Sequence, residues 1–264
     1  MQHPYFTALL LILTFGIMSW AISLFRKDVS FVDSLWPVFF LVAAAVYALD
    51  ATSLSVRAKL VLVLLGIWAI RLSLHITIRN WGGEEDPRYQ TIRANNEPGF
   101  ALKSIYIVFG LQAVLAWFVA FPLFPAITSH SEANVVDALA AVLWLFGFVY
   151  EAGGDYQLMK FKAQDDSRTR VLNTGFWRHT RHPNYFGEFC IWWAFYLFAV
   201  AAGSWWTVAS PLLMSLLLLK VSGVAMLEKT IGSRRPGYAE YVECTNAFFP
   251  GPLHRRSVVE GSGQ

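Results

Sequence analysis

Between residues 155 and 188 the chain sets cations against carboxylates and amides. Lys160, Lys162, Arg168, Arg170, Arg178 and Arg181 alternate with Asp155, Asp165, Asp166, Asn173, Asn184 and Glu188. A segment that only anchors to anionic lipid needs no carboxylates, because they weaken the attraction. A site for a phosphorylated, sugar-bearing ligand needs both kinds. Guanidinium forks suit phosphate, while carboxylates and amides suit ribose hydroxyls and a carboxamide. The stretch RHPNYFGE, Arg181 to Glu188, adds a mechanical element. Pro183 fits the first turn of a helix, where its missing N–H costs nothing. The N-terminus of such a helix offers backbone donors and the positive end of a dipole to an anion. Asn184, Tyr185 and Glu188 fall on that first turn, with 184 and 188 on one face. Glu188 also complements the dipole without any ligand.

A second set lies inside apolar runs, where a charge at mid-bilayer costs at least about 2.5–3.5 kcal/mol. Trp68, Arg71, His75 and Arg79 recur at spacings of three and four, one stripe of a helix. Asp33 and Trp36 stand three apart, just before Pro37. An Asp33–Arg71 ion pair that locks two helices is one reading. Lining of an internal cavity is the other, and one pair serves both. Glu151 and Lys220 are further candidates for the same interior, and Arg79 is placed to snorkel to the interface.

The elements that must hold these groups are membrane helices. Of 264 residues, 56% are hydrophobic and 15% charged, against about 25% charged in soluble domains. A spanning helix needs roughly 20 mostly apolar residues. Runs at 5–25, 32–50, 59–78, 103–126, 135–154, 186–203 and 206–227 predict seven of them. The fold class expected is therefore all-α, a polytopic membrane protein with an ordered cytoplasmic cap. It reads as one integral-membrane domain, with substrate-side helices over 1–126 and cofactor-side helices, loop and tail over 127–264. Seventeen of the 21 Lys and Arg fall in alternate loops and the tail, while the opposite loops hold only Arg57 and Lys59. By the positive-inside rule the busy loops and the C-terminus are expected in the cytoplasm, in a bacterial inner membrane. The first run has no basic flank and no cleavage site, so a retained helix is expected rather than a signal peptide. The net charge of +3 then describes topology and lipid headgroups, and no nucleic-acid motif is present. Two cysteines, Cys190 in a span and Cys244 in the tail, form no metal or redox pattern. A monomer is expected.

With these residues in hand, the chain resembles the membrane-embedded steroid 5α-reductase family and its bacterial relatives. GDYQLMKFK, LNTGFWRHTRHPNYFGE and the tail GYAEY…FFP carry the likeness over roughly 135–250, and GEEDPRY after the third run looks like the bacterial branch. The resemblance implies a seven-helix reductase that binds NADPH against a cytoplasmic cap and reduces a Δ4-3-oxosteroid. It implies cofactor contacts from Asp155, Lys162, Arg170, Asn184, Glu188 and Tyr241, which stand at matching positions. Local chemistry adds Arg168, Arg178, Arg181, His182 and Tyr185, with Glu228 and Tyr238. A cluster of arginines also selects a 2′-phosphate. The chain departs from the mammalian pattern on the substrate side. A Gln-Glu pair there is replaced by FVDSLWPVF, and a tyrosine position appears as Trp68.

The chemistry expected is conjugate reduction of a steroid or sterol-like enone. Hydride goes to the β-carbon, and a donor aimed at the carbonyl oxygen stabilises the developing enolate. Asp33, kept protonated by burial, is the expected donor, assisted by Trp36, Trp68 or a water on Arg71. Two other readings stay open. One is a membrane methyltransferase of the isoprenylcysteine type, using S-adenosylmethionine, which needs no clamp for a 2′-phosphate. The other is a lipid-binding scaffold whose basic cap meets only headgroups.

Overall fold

A computed structural model describes residues 3–164, 170–221 and 237–252, and all regular structure among them is helical. Helix α1 (Pro4–Arg26) opens on a proline, with the His3 ring accepting from the Tyr5 amide. Helix α2 (Val32–Asp50) carries Asp33 in its first turn, where a carboxylate suits the dipole. Helix α3 (Val56–Asn80) is capped by the Ser55 hydroxyl, which accepts from the Ala58 amide at 3.2 Å. A short loop helix, α4 (Pro87–Asn96), starts with proline behind an Asp86 cap. Then α5 (Phe100–Ser104), a π-helical stretch over Ile105–Gly110 and α6 (Leu111–Val119) form one apolar rod. Helix α7 (Leu123–Thr128) follows, then the 28-residue α8 (Val135–Lys162). The remainder is α9 (Pro183–Ala201), α10 (Ala209–Leu216), continued as π-helix over Leu217–Val221, and α11 (Tyr238–Cys244).

The chain divides into two compact units. The first comprises 1–140 and 195–210, the second 141–194 and 211–264. In the first, α2 packs on α1 and α3, α1 packs on the 105–119 rod, and α7 lies against α2 and α3. Phe39, Phe40, Ala43, Leu65 and Trp68 are sealed inside, each large side chain contributing about 1.5–3 kcal/mol of burial. The opposite face of α3 exposes Val63, Ile67, Ile70, Leu74 and Ile78. Their spacing of three and four draws an apolar stripe that hydrocarbon solvates and water does not.

One polar lock sits in this unit. The Arg57 guanidinium, 1% exposed, donates to both Asp137 oxygens, at 2.6 and 2.8 Å. It also donates to the Ser131 hydroxyl at 2.6 Å and to the Glu132 carbonyl at 2.9 Å. A buried charge is tolerable only when it is paired and its remaining protons are satisfied, and here both conditions hold.

In the second unit, glycines let α8 and α9 touch backbone to backbone. A Cβ on Gly147 would lie 2.6 Å from the Gly187 carbonyl oxygen, and one on Gly187 would collide with the Gly147 carbonyl and the Glu151 amide. Small residues at such positions allow close helix approach in apolar surroundings.

The number of spans differs from the seven expected. Five described helical segments are long and apolar enough to cross a membrane: α1, α2, α3, the Phe100–Val119 rod and α8. The rod stops short of the expected 126 because Pro122 separates α7 from it. Helix α9 spends its first turns on Asn184, Tyr185 and Glu188, so its apolar run begins only at Phe189. The apolar helix over Trp205–Val221 is shorter still, and its expected end at 227 lies outside the described residues. Helix α8 departs the other way. It runs through DYQLMKFK to Lys162 because Gln, Leu, Met and Lys are good helix formers.

Candidate functional site

The closest gathering of predicted residues lies in the second unit, where α8 meets the start of α9. A Cβ on Gly154 would stand 3.1 Å from Pro183 Cγ and 3.2 Å from the Asn184 amide nitrogen. That close approach puts the next residue, Asp155, beside Asn184. The Asn184 Nδ2 donates to Asp155 Oδ1 at 3.0 Å. Asp155 is buried and Asn184 half-buried. The carboxylate fixes the amide, so the Asn184 carbonyl oxygen has a defined direction.

Tail and turn are strapped to this junction. The 3₁₀ turn Gly175–Arg178 docks on α8 through the Phe176 amide, which donates to Gln157 Oε1 at 3.0 Å. The Trp177 indole donates to the Gly154 carbonyl, also at 3.0 Å. Gly175 sits at φ 61°, where a side chain would be strained. The Tyr241 phenol donates to the Trp177 carbonyl. Burial first, then neighbouring Tyr238, raises that phenol above its ordinary range, so it remains a donor at neutral pH.

Arg181 is nearly buried, and its guanidinium donates to the Val242 and Thr245 carbonyls, each at 2.9 Å. The expected phosphate fork at Arg181 is therefore a strut that holds the tail. Thr180 supports the same strut by donating to the Phe248 carbonyl at 2.8 Å. His182 is buried and stacks on Tyr185 with ring centroids 5.8 Å apart. Glu188 is half-buried on the second turn of α9. Tyr238 and Tyr241 meet edge to face at 5.9 Å. Lys162 and Arg178 are exposed at element ends. Arg168 and Glu228 lie outside the described residues.

A cleft of about 220 Å³ opens beside this junction, between the last turns of α8 and the segment 170–174. Among the described residues that line it, Lys160 and Arg170 are the cations, and Gln157, Gln164, Asn173 and Thr174 the other polar groups. Arg170 is among the residues that the sequence resemblance implies, whereas Lys160 stands in the sequence only as part of the basic run.

The substrate-side residues all belong to the first unit, and the structure distributes them differently from expectation. Asp33 does not pair with Arg71. Its Oδ2 accepts from Arg88 Nη2 at 2.7 Å and its Oδ1 from the Tyr89 phenol at 2.6 Å. A carboxylate that accepts at both oxygens, once from a guanidinium, is an acceptor in this arrangement and not the acid expected. Trp36 packs edge to face on Phe40 at 5.2 Å, and Phe40 on the fully buried Trp68 at 5.7 Å. Arg71 is half-buried on the same helix as Trp68.

The residues missed here are Arg88, Tyr89 and Gln112. Gln112 Nε2 donates to the Tyr89 oxygen at 2.8 Å. Arg88 also grips Asp86, at 2.9 and 3.0 Å. Burial acts against the Arg88 charge, but the bond to Asp86 and the field of Asp33 outweigh it and hold the guanidinium firmly protonated. Burial, then the Asp33 charge, raises the Tyr89 phenol well above its ordinary range. Two sequence features point to the set: the cap-proline pair Asp86-Pro87 and a lone amide, Gln112, inside an apolar rod.

A family model described as protein of unknown function (DUF1295) matches residues 19–245. A relative in Schizosaccharomyces pombe, the uncharacterized protein C594.04c, is 29% identical over 278 aligned positions, which cover 94% of this chain and 80% of the relative.

Proposed function

The chain belongs to the DUF1295 family of proteins of unknown function, and from that premise we propose that it is an integral membrane reductase that uses NADPH to reduce the C=C bond of a lipid enone. The observation that carries this reading is the Asp155–Asn184 pair at the α8–α9 contact, with a cationic cleft a few residues along α8. A carboxylate and an oriented amide are the acceptors and donors that a ribose diol and a nicotinamide carboxamide require. Lys160 and Arg170 supply charge for phosphate. The donor set fits a nucleotide cofactor. The resemblance of LNTGFWRHTRHPNYFGE and its flanks to the steroid 5α-reductase family supports NADPH and a Δ4-3-oxosteroid or similar lipid enone as the finer identity. The positive-inside distribution supports a cytoplasmic cap, where that cofactor is available.

In this reading NADPH supplies the hydride. The second unit binds and orients it through Asp155, Asn184 and the cleft, and Arg181, Thr180 and Tyr241 keep the tail against the junction. In the first unit, the group proposed as hydrogen-bond donor to a carbonyl that gathers charge is the Arg88 guanidinium, which Asp33 and Asp86 hold in one orientation. Tyr89 steadies Asp33 in turn, its one hydroxyl proton given to that carboxylate and its oxygen accepting from Gln112. An oriented donor that needs no reorganisation is what lowers the barrier to an enolate.

The deciding experiment follows NADPH oxidation by detergent-purified protein with progesterone and with non-steroid enones, the product identified by mass. A product two mass units heavier than its substrate supports the reading. Thermal stabilisation by S-adenosylmethionine and none by NADPH overturns it in favour of methyl transfer.

A further inference from the structure

We infer that Gln112 is a positioning residue for the Arg88 donor, and that the π-helical stretch Ile105–Gly110 is what delivers it. The first part rests on the reductase reading above, the second on geometry alone. The 100–119 rod meets α4 twice. Arg93 lies over the Phe100 ring, 4.4 Å from its centroid, and the Tyr89 oxygen accepts from Gln112 Nε2 at 2.8 Å. Tyr89 and Arg93 stand four apart on α4 and so share a face. Their partners, Phe100 and Gln112, are thereby drawn to one side of the rod.

A plain α-helix does not allow that. Gln112 stands twelve residues after Phe100, and at about 100° per residue the two would point roughly 120° apart. A π turn takes in one extra residue and sets the phase back by roughly 100°, which removes most of the discrepancy. The core shows the same correction. Ser104 and Ala113, nine residues apart, would face opposite sides of a plain helix, yet both are sealed inside. The Leu111 amide reaches the Tyr106 carbonyl, five residues back. Gly110 permits the turn, because a Cβ there would stand 2.9 Å from the Ile105 carbonyl oxygen, also five back.

Core packing explains why Ala113 turns inward. It does not explain an amide beside it in an apolar rod, where a polar side chain is costly and marks a use. Here the amide gives a proton to the Tyr89 oxygen, so the phenol's own proton is kept for Asp33. The other Asp33 oxygen holds Arg88. One chain of hydrogen bonds thus runs from the rod to the guanidinium. Without its first link the Tyr89 hydroxyl is free to turn, and the carboxylate that orients Arg88 loses a fixed donor.

The test uses the full chain in nanodiscs with 3-fluorotyrosine incorporated at Tyr89, whose fluorine resonance reports hydrogen bonds at the phenol. Steady-state kinetics with NADPH and progesterone run beside it. Gln112→Leu and Gly110→Ala should shift the resonance in the same direction. Each should lower kcat roughly tenfold or more while KM and NADPH affinity stay within twofold. Deletion of Ile107 removes the extra residue and lets a plain helix present Gln112 to Tyr89, so it should keep both readouts near wild type. It should also rescue Gly110→Ala, and it decides the matter if Gly110→Ala alone does not fold. If Gln112→Leu leaves the resonance and kcat unchanged, the positioning part is wrong and the reductase reading is untouched. If the Ile107 deletion shifts the resonance as Gln112→Leu does, the π stretch is not the delivering element. If the wild type reduces no enone while the resonance responds as expected, the reductase reading and the positioning role fall, and the delivery of Gln112 by the π stretch stands.

Discussion

Asp33 illustrates how a single residue changes meaning once its neighbours are known. In sequence it is a carboxylate at the start of an apolar run, and burial alone would make it an acid. In the structure Arg88 and Tyr89 both donate to it, so its part is to hold the guanidinium and the phenol together. Asp33→Asn removes the charge that faces Arg88 and keeps one acceptor for Tyr89. It is expected to lower turnover with a lipid enone roughly a hundredfold and to leave NADPH affinity within twofold, with Tyr89→Phe behaving alike. Steady-state kinetics beside a cofactor titration check this. Full turnover in a folded Tyr89→Phe protein would confine the whole network to a structural part. Arg88 and Tyr89 were not legible as site residues because their partner lies 55 and 56 positions away. No local pattern encodes such a meeting.

Two elements make the arrangement possible. The α8–α9 contact depends on glycine, and Gly187→Ala is the smallest change that opens it, since the new methyl would meet backbone atoms that cannot swing aside. It is expected to cost about 1–3 kcal/mol and to weaken NADPH binding at the same time, because Asp155 and Asn184 move apart. Thermal unfolding and cofactor titration on one preparation test both effects. The loop helix α4 depends instead on charge. Burial works against the Glu85 and Asp86 carboxylates, but Glu85 accepts from Arg93 and the Val29 amide, and Asp86 from Arg88, so both are held below the ordinary carboxylate range. A carboxyl depressed in the folded state stabilises at pH above its unfolded value and loses that contribution as pH falls through the folded one. Hydrogen exchange should therefore find α4 protected at pH 7 and progressively unprotected below roughly pH 4, while α2 and α3 hold. Equal protection of α4 throughout would contradict this.

At the scale of the molecule, the first unit is tied together by Arg57. This one guanidinium joins the start of α3 to the loop and first turn of α8, some 80 residues away. Arg57→Ala leaves Asp137 buried without its countercharge, and the expected loss is about 3–5 kcal/mol. A melting temperature close to wild type in the same detergent would show that water replaces the arginine. Apart from this lock, exposed apolar side chains along α1, α3 and α8 make hydrocarbon the natural solvent of the helices. Stability measurements therefore belong in bilayers or well-matched detergents.

The sequence by itself determined that the chain is helical and apolar, where α1, α2 and α3 run, and which short segments carry its polar chemistry. Those properties follow from composition, from runs long enough to cross hydrocarbon, and from local caps such as Ser55 and Asp86. Each is written within a few consecutive residues. Only the tertiary structure decided that five of the described helices reach spanning length where seven were expected, that Arg57 is a buried lock and Arg181 a strut, and that Lys160 and Arg170 face one cleft. The reason is physical. Apolar periodicity fixes how a helix is solvated, but the partner of a charge is chosen by packing, and packing here turns on glycine contacts such as Gly147 against Gly187 that no local pattern announces.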